Sequence, residues 1–271
     1  MLSFGKAHGF EIWMTTNGTF SCAKVAKDVD QIIFSIHGLA ETHEAITQKP
    51  GSFLLARRHI VEASTMTSVS INMVLIKRNF HELNDVFAYF SQRCELSTFY
   101  SPIPIKSNSG FDYSEDSLEV TEELLEEYRA KLSMIPPPKL GLKHGYQNIY
   151  LNDPTCYTSA TIPLANCAAG KYKIVIDYDA DVYACNFFRS PEFLCGNILS
   201  GDAKEIWHTG KGFNHFRRLS LNESFPDKCN NCIKRFKCAG GCLAWTEGYR
   251  NENYENVNDF RCEIGHAFVG G

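Results

Sequence analysis

Cys229, Cys232, Cys238 and Cys242 are spaced Cys-x2-Cys-x5-Cys-x3-Cys, with Cys262 after them and Cys167 and Cys185 before. Thiolates separated by two residues can turn back onto one metal centre, the geometry that zinc and iron–sulfur sites share. Gly240-Gly241 sits just before Cys242, where backbone free of side chains can crowd close to a cluster. The seven thiols read as a metal-binding frame.

A disulfide framework is the competing reading, and context opposes it. The chain has 11 cysteines in 271 residues, an odd count, and Met1 to Phe10 carries no sustained apolar run of a signal peptide. No stretch of eighteen apolar residues exists, so no membrane partner is expected. Thiols in a cytoplasmic protein stay reduced and serve as metal ligands more often than as bridges. A net charge of −4 argues against a general nucleic-acid binder. With 44% hydrophobic residues the chain is expected to fold, and its length suits two domains.

The elements that must position these thiols follow from periodicity. Ile12 to Thr16 reads as a strand ending at the turn pair Asn17-Gly18. Gln31 to Ile36 is a second strand, closed by His37-Gly38. Ser52 to Ala63 carries helical spacing in Phe53, Ala56, Ile60 and Ala63, with Ser52 as the expected N-cap. Val69 to Ile76 is a third strand. His81 to Gln92 is a helix with Leu83, Val86, Phe87 and Phe90 on its apolar face, and Leu96 to Pro102 a fourth strand. Strand and helix alternating at this pace imply right-handed βαβ units and a parallel sheet. Glu115 to Met134 reads as an acidic helix ended by Pro136-Pro137-Pro138. In the Cys-rich part, Lys173 to Asp177 and Asp181 to Ala184 form a hairpin delivering Cys185, followed by loops and short helices. A short helix, Leu2 to His8, leads directly into the first strand, so the sheet is expected to lack at least one strand before it. The edge left exposed would be an aggregation liability.

At this point the residues resemble a known family. Cys167 and Cys185, the hairpin Asp177-Tyr178-Asp179-Ala180-Asp181-Val182-Tyr183-Ala184-Cys185, the central Cys block and Cys262 resemble a SPASM domain, the auxiliary-cluster module of many radical SAM enzymes. Gly196-Asn197-Ile198, Trp207 and Arg217 are similar to its GNI…W…R stretch. Ala180 stands where Gly is usual, and Ala184 where Pro is usual. Thr15-Thr16-Asn17-Gly18 resembles the TTNG strand end of the radical SAM barrel. Ser35-Ile36-His37-Gly38 with His43 and Pro50-Gly51-Ser52-Phe53 resembles SIDG…HD…GSF. The CxxxCxxC loop and the GGEP strand of the family are not found. Cys22 and Cys94 belong to no such triplet and are expected to be ordinary buried thiols.

The resemblance implies an α/β fold: a partial (β/α) radical SAM barrel lacking its first strand(s) over residues 1–135, a linker over 136–155, and a small Cys-rich SPASM domain over 156–271. It implies two auxiliary 4Fe–4S clusters, which need eight thiolates for full ligation. Cys229, Cys232, Cys238 and Cys262 would hold one, and Cys167, Cys185 and Cys242 the other. Cys156 is the favoured eighth ligand, with Cys195 or an open iron site as alternatives. S-adenosylmethionine and a third 4Fe–4S cluster belong to the complete enzyme. Ser35, Asn72 and Asn17 are the candidate contacts to S-adenosylmethionine, although each is also an ordinary strand-end or turn residue. His37 and His43 are read as structural or substrate-facing.

The function implied is modification of a precursor peptide or protein, by crosslinking or side-chain oxidation, after a 5′-deoxyadenosyl radical abstracts hydrogen. A flavodoxin or ferredoxin is the expected electron donor, and the cytoplasm the expected location. Without the CxxxCxxC loop this chain alone is expected to be inactive. Asn186 stands where sulfatase-maturing members carry an acidic base, and an amide takes no proton at neutral pH. That weakens the sulfatase reading, although Glu192 lies nearby in sequence. Two alternatives remain: a non-catalytic iron–sulfur binding or electron-transfer module, and a zinc protein with Cys229, Cys232, Cys238 and Cys242 as an S4 site. Zinc would leave Cys167, Cys185 and Cys262 unexplained.

Overall fold

The computed structural model describes residues 2–91, 96–101, 127, 130, 131 and 168–219, with backbone only for 96–101 and 218–219. These residues fall into two compact units, one ending before and one containing the Cys-rich segment.

The first unit is built on β1 (Trp13–Thr16), β2 (Gln31–Ser35), β3 (Ser68–Val74) and β4 (Leu96–Ser101), parallel and in sequence order. Its helices are α1 (Leu2–Ala7), α2 (Ala23–Ala26), α3 (Ala40–Thr47), α4 (Ser52–Ser64) and α5 (Leu83–Ser91). Every strand expected from alternation is present within two residues of its expected ends. The reason is the two-residue period. Ile32, Phe34, Val69, Ile71 and Met73 face one side, where the Phe53, Ala56, Ile60 and Ala63 stripe of α4 covers them. Each such fully buried side chain contributes about 1.5–3 kcal/mol.

The opposite face differs. It carries Thr15, Gln31, Ile33, Ser35, Ser70 and Asn72. Parallel sheets ordinarily bury apolar residues on both faces. A polar second face belongs to a sheet whose other side lines a site. Gln31 Nε2 donates to Ser70 Oγ at 2.6 Å, which satisfies the most buried polar groups of that face.

Two expectations change. Ser52 does not cap α4: Gly51 takes the N-cap position with no side-chain cap, and Ser52 is the first helical residue, its hydroxyl 2.9 Å from Thr47 Oγ1. The buried side of α4 begins at Ser52, and the hydroxyl is satisfied there by a neighbour instead of by its own helix. The helix expected from His81 is a 3-10 turn, Phe80–Glu82, before α5. The Glu82 carboxylate, at the end of this turn, is held by the Leu39 N–H and the Thr42 hydroxyl, described below. Of the acidic helix, Glu127, Ala130 and Lys131 are described and helical, and Lys131 pairs with Glu127 at 3.5 Å. Cys94 lies outside the described residues.

The second unit contains an antiparallel sheet of β5 (Val175–Ile176), β6 (Asp181–Tyr183) and β7 (Gly196–Asn197), in that order. Two helices follow, α6 (Ala203–Thr209) and α7 (Lys211–Leu219). The expected hairpin is present; β7 is an addition. Asp202 caps α6 by accepting the Glu205 N–H at 2.8 Å, the standard device for an orphan helix-terminal amide.

Candidate functional site

Parallel strands in register bring their carboxyl ends to one edge, and residues of equal parity to one face. Ser35 pairs with Asn72 across β2 and β3. Asn17 follows Thr16, which pairs with Phe34, so it comes at the level of Ser35 and Asn72. The three residues singled out from sequence therefore line one edge. Among the described residues, neither the Ser35 hydroxyl nor the Asn72 side-chain amide has a hydrogen-bond partner, and both are half-buried.

The loops around this edge are held rigidly. Thr16 Oγ1 accepts the Gly18 N–H at 3.1 Å, Asn17 Oδ1 accepts the Thr19 N–H at 3.0 Å, and buried His59 Nδ1 donates to the Gly18 carbonyl at 2.7 Å. Beyond β2, the Ile36 N–H donates to the Asn72 carbonyl at 3.0 Å. The fully buried Asn79 spans the next turn, donating to the His37 and Val74 carbonyls at 2.9 Å and accepting the Ile76 N–H at 2.8 Å. Glu82 accepts the Leu39 N–H at 2.7 Å and the Thr42 hydroxyl at 2.6 Å. A side chain at Gly38 would meet that carboxylate at 2.7 Å, so only glycine lets the loop close on it. Asn79 and Glu82 carry no motif signal. Their partners lie far along the chain or in the backbone, and sequence reading missed both.

His37 and His43 are stacked, with ring centroids 6.0 Å apart. His43 is in the core, its Nδ1 accepting the His37 N–H at 3.1 Å. That bond places the ring proton on Nε2, which is buried with no partner. Burial, and then the neighbouring His43, push His37 down to about 4; burial lowers His43 as well. Both rings are neutral at physiological pH, a stacked pair tied through the His37 backbone amide and not a charged one. Cys22 is buried, and burial raises its thiol pKa, so it is an inert core thiol as expected.

In the second unit the hairpin presents Cys185, two residues past β6 and almost fully buried. Asp177 Oδ1 accepts the N–H groups of Asp179 at 3.0 Å and Asp181 at 3.1 Å, which closes the turn. Ala180 takes a left-handed backbone, φ 66°, the conformation that explains why glycine is usual there. Asn197 buckles the hairpin to β7, donating to the Asp179 carbonyl at 2.8 Å and Asp181 Oδ1 at 2.9 Å. A Cβ on Gly196 would come within 2.8 Å of Ile206, so the glycine lets α6 approach β7 closely. Arg217 donates to the carbonyls of Gly170 and Trp207, each at 2.7 Å, and lies 4.9 Å from the Trp207 ring centroid. Gly196, Asn197, Trp207 and Arg217 of this stretch thus hold β7 or the segment around Gly170.

Cys22, Cys185 and Cys195 form no disulfide. Cys185 supplies the donor chemistry of a cluster ligand: a reduced, enclosed thiol at a rigid turn. Cys195 Sγ donates to the Phe193 carbonyl at 3.5 Å. Its sulfur meets the backbone amides of Phe213, Gly212 and Ala184, but burial outweighs them and raises its pKa. Cys156, Cys167, Cys229, Cys232, Cys238, Cys242 and Cys262 lie outside the described residues.

Residues 167–233 match the SPASM family of iron–sulfur cluster-binding domains. The mycofactocin maturase MftC of Mycobacterium tuberculosis (strain CDC 1551 / Oshkosh) is 28% identical over 253 residues, 90% of this chain and 62% of its own length. The solved structure of histidine-tagged anSMEcpe with bound AdoMet superposes with a TM-score of 0.64 at 18% identity, over 95% of this chain and 71% of that one. The chain is thus similar to radical SAM/SPASM proteins, in sequence over residues 167–233 and along MftC, and in fold to anSMEcpe. A serine-type anaerobic sulfatase-maturating enzyme of Bacteroides thetaiotaomicron is 35% identical over 68 residues, 25% of this chain and 16% of that protein. The chain spans about three fifths of the length of the MftC relative it matches. The four-stranded parallel unit shares the β/α fold of the anSMEcpe structure, and the match to the iron–sulfur cluster-binding family falls within the Cys-rich unit. Among the described residues, no helix is long and apolar enough to cross a membrane.

Proposed function

We propose that this radical SAM/SPASM chain is the part of a peptide- or protein-modifying maturase that holds substrate and AdoMet and carries two auxiliary clusters. The observation that carries the reading is one chain combining two features. Ser35 and Asn72 stand paired and unsatisfied at the carboxyl edge of the parallel sheet, and a cluster-binding domain follows. A structure of anSMEcpe, related in fold, holds both AdoMet and the Kp18Cys peptide. When bound, AdoMet and the clusters supply hydrogen-atom abstraction and electron transfer.

The chain's own residues provide position. Ser35 and Asn72 would hydrogen-bond the polar groups of AdoMet, with Asn17 at the rim. The neutral His37–His43 pair would keep the β2 loop in place without adding charge. Cys229, Cys232, Cys238 and Cys262 would hold one cluster. Cys167, Cys185, Cys242 and Cys156 would hold the other. Residues 1–135 and 156–271 would be the two domains, joined by 136–155. A flavodoxin or ferredoxin in the cytoplasm would supply the electrons.

The test is iron, acid-labile sulfide and zinc per chain after anaerobic reconstitution, followed by AdoMet titration. About eight irons with matching sulfide are expected for two fully ligated clusters. Zinc without sulfide would overturn the cluster assignment, and iron without AdoMet binding would overturn the assignment of the sheet edge.

A further inference from the structure

The SPASM hairpin has an exposed outer strand. Among the described residues β5 is an edge of its sheet, with β6 on one side only. Exposed side chains recur through the strand and the turns that flank it: Tyr172 is 74% exposed, Ile174 44%, Ile176 47% and Tyr178 94%. Four large exposed side chains along and beside an edge with no partner among the described residues invert the usual placement of polar residues there. Natural proteins seldom leave such an edge without a partner.

The backbone of this edge is also presented for pairing. The Asp177 N–H donates to the Asp181 carbonyl at 3.0 Å, and Val175 lies opposite Tyr183. Hydrogen-bonded and non-hydrogen-bonded pairs alternate in an antiparallel ladder, so Ile174 and Ile176 turn their N–H and C=O groups away from β6.

The sequence of the strand identifies its partner. Lys171-Tyr172-Lys173-Ile174-Val175-Ile176-Asp177-Tyr178-Asp179 reads symmetrically about Val175. Tyrosine reflects onto tyrosine and isoleucine onto isoleucine, whereas lysine reflects onto aspartate at both positions. An antiparallel pairing about a two-fold axis at Val175 therefore sets Lys173 of one copy opposite Asp177 of the other, and Ile174 opposite Ile176. The same register pairs the outward-facing backbone groups of Ile174 with those of Ile176 in the second copy, as a hydrogen-bonded pair requires. Registers shifted by two residues keep the backbone pairing but set Val175 opposite Asp177 or Lys173 instead of opposite itself. A self-complementary patch is what an isologous two-fold interface needs.

We infer that two copies of this chain associate through β5, joining their three-stranded sheets edge to edge with Val175 on the two-fold axis. The interface is short compared with that of a stable dimer, so association depends on concentration. Because Lys173 and Asp177 lie at its rim, salt weakens it.

Sedimentation velocity of the anaerobically reconstituted full chain, across a wide concentration range, tests this. A monomer–dimer equilibrium is expected, shifting toward monomer as salt rises. Ile174→Arg and Lys173→Glu should each weaken the dimer about tenfold or more, since the two-fold axis duplicates every loss. Both sites are on the outer strand, and iron per chain and thermal melting report whether each variant is folded. Sedimentation as a monomer at every concentration would overturn the inference and leave the edge to a peptide of other origin. A dimer that folded Lys173→Glu leaves unchanged would overturn the register and with it the interface.

Discussion

The backbone amide of His37 donates to Nδ1 of His43 at 3.1 Å, tying the chain that leaves β2 to an imidazole buried in the core. The bond can form only while His43 lacks a proton on that nitrogen, so loop order at the proposed AdoMet edge depends on neutral histidines.

This dependence sets a pH response. His37 titrates near 4 in the folded chain against its ordinary 6.5, because burial and then His43 disfavour its charge. Below 6.5 the unfolded chain binds the proton and the folded chain does not. Stability is therefore fully present above pH 6.5 and falls as pH drops toward 4. Urea unfolding at pH 7 and pH 5 should show a loss of about 2 kcal/mol. His37→Gln should remove most of that slope while leaving the pH 7 fold intact.

Asn72→Ala should weaken AdoMet binding about tenfold with little change in melting temperature, because its half-buried side chain has no described protein partner to lose. Ser68→Ala, at the exposed opposite end of the same strand, should leave the affinity unchanged. Equilibrium dialysis of the cluster-loaded protein separates the two.

Arg217→Lys should cost about 2 kcal/mol. A lysine keeps the charge but cannot serve the Gly170 and Trp207 carbonyls while lying flat on the Trp207 ring. Gly170 follows Cys167 by three residues, so iron occupancy should fall as well. Thermal melting and iron per chain are the readouts.

Ala180→Gly should stabilise the hairpin. The left-handed backbone at Ala180 costs about 1–2 kcal/mol for a residue with a Cβ, and the added freedom of glycine in the unfolded chain offsets part of it. A net gain of about 0.5–1 kcal/mol is expected, read as a rise in melting temperature.

Much of the fold was legible because its signals are local. The two-residue alternation of Ile32, Phe34 and their neighbours marked the strands, and the Phe53–Ala56–Ile60–Ala63 stripe marked α4. Ser52 misled because serine at a helix start is a favoured cap, yet here Thr47 takes its hydroxyl. The two-residue β7 has no periodicity to read. It forms because Asn197 reaches back to Asp179 and Asp181.

The sequence by itself determined the chemistry on offer: reduced thiols at cluster spacing, and polar residues at the ends of apolar strands. Ligand type and spacing are properties of neighbouring residues, and a short stretch of chain suffices to state them. Tertiary structure decided which groups meet. Glu82 closes on Leu39 forty-three residues away, Arg217 on Gly170 forty-seven away, and Asn72 comes beside Ser35 only through parallel pairing. Such contacts are selected by the packing of whole elements, because the entropy of closing the intervening loop is repaid only by the buried surface and hydrogen bonds of the assembled unit.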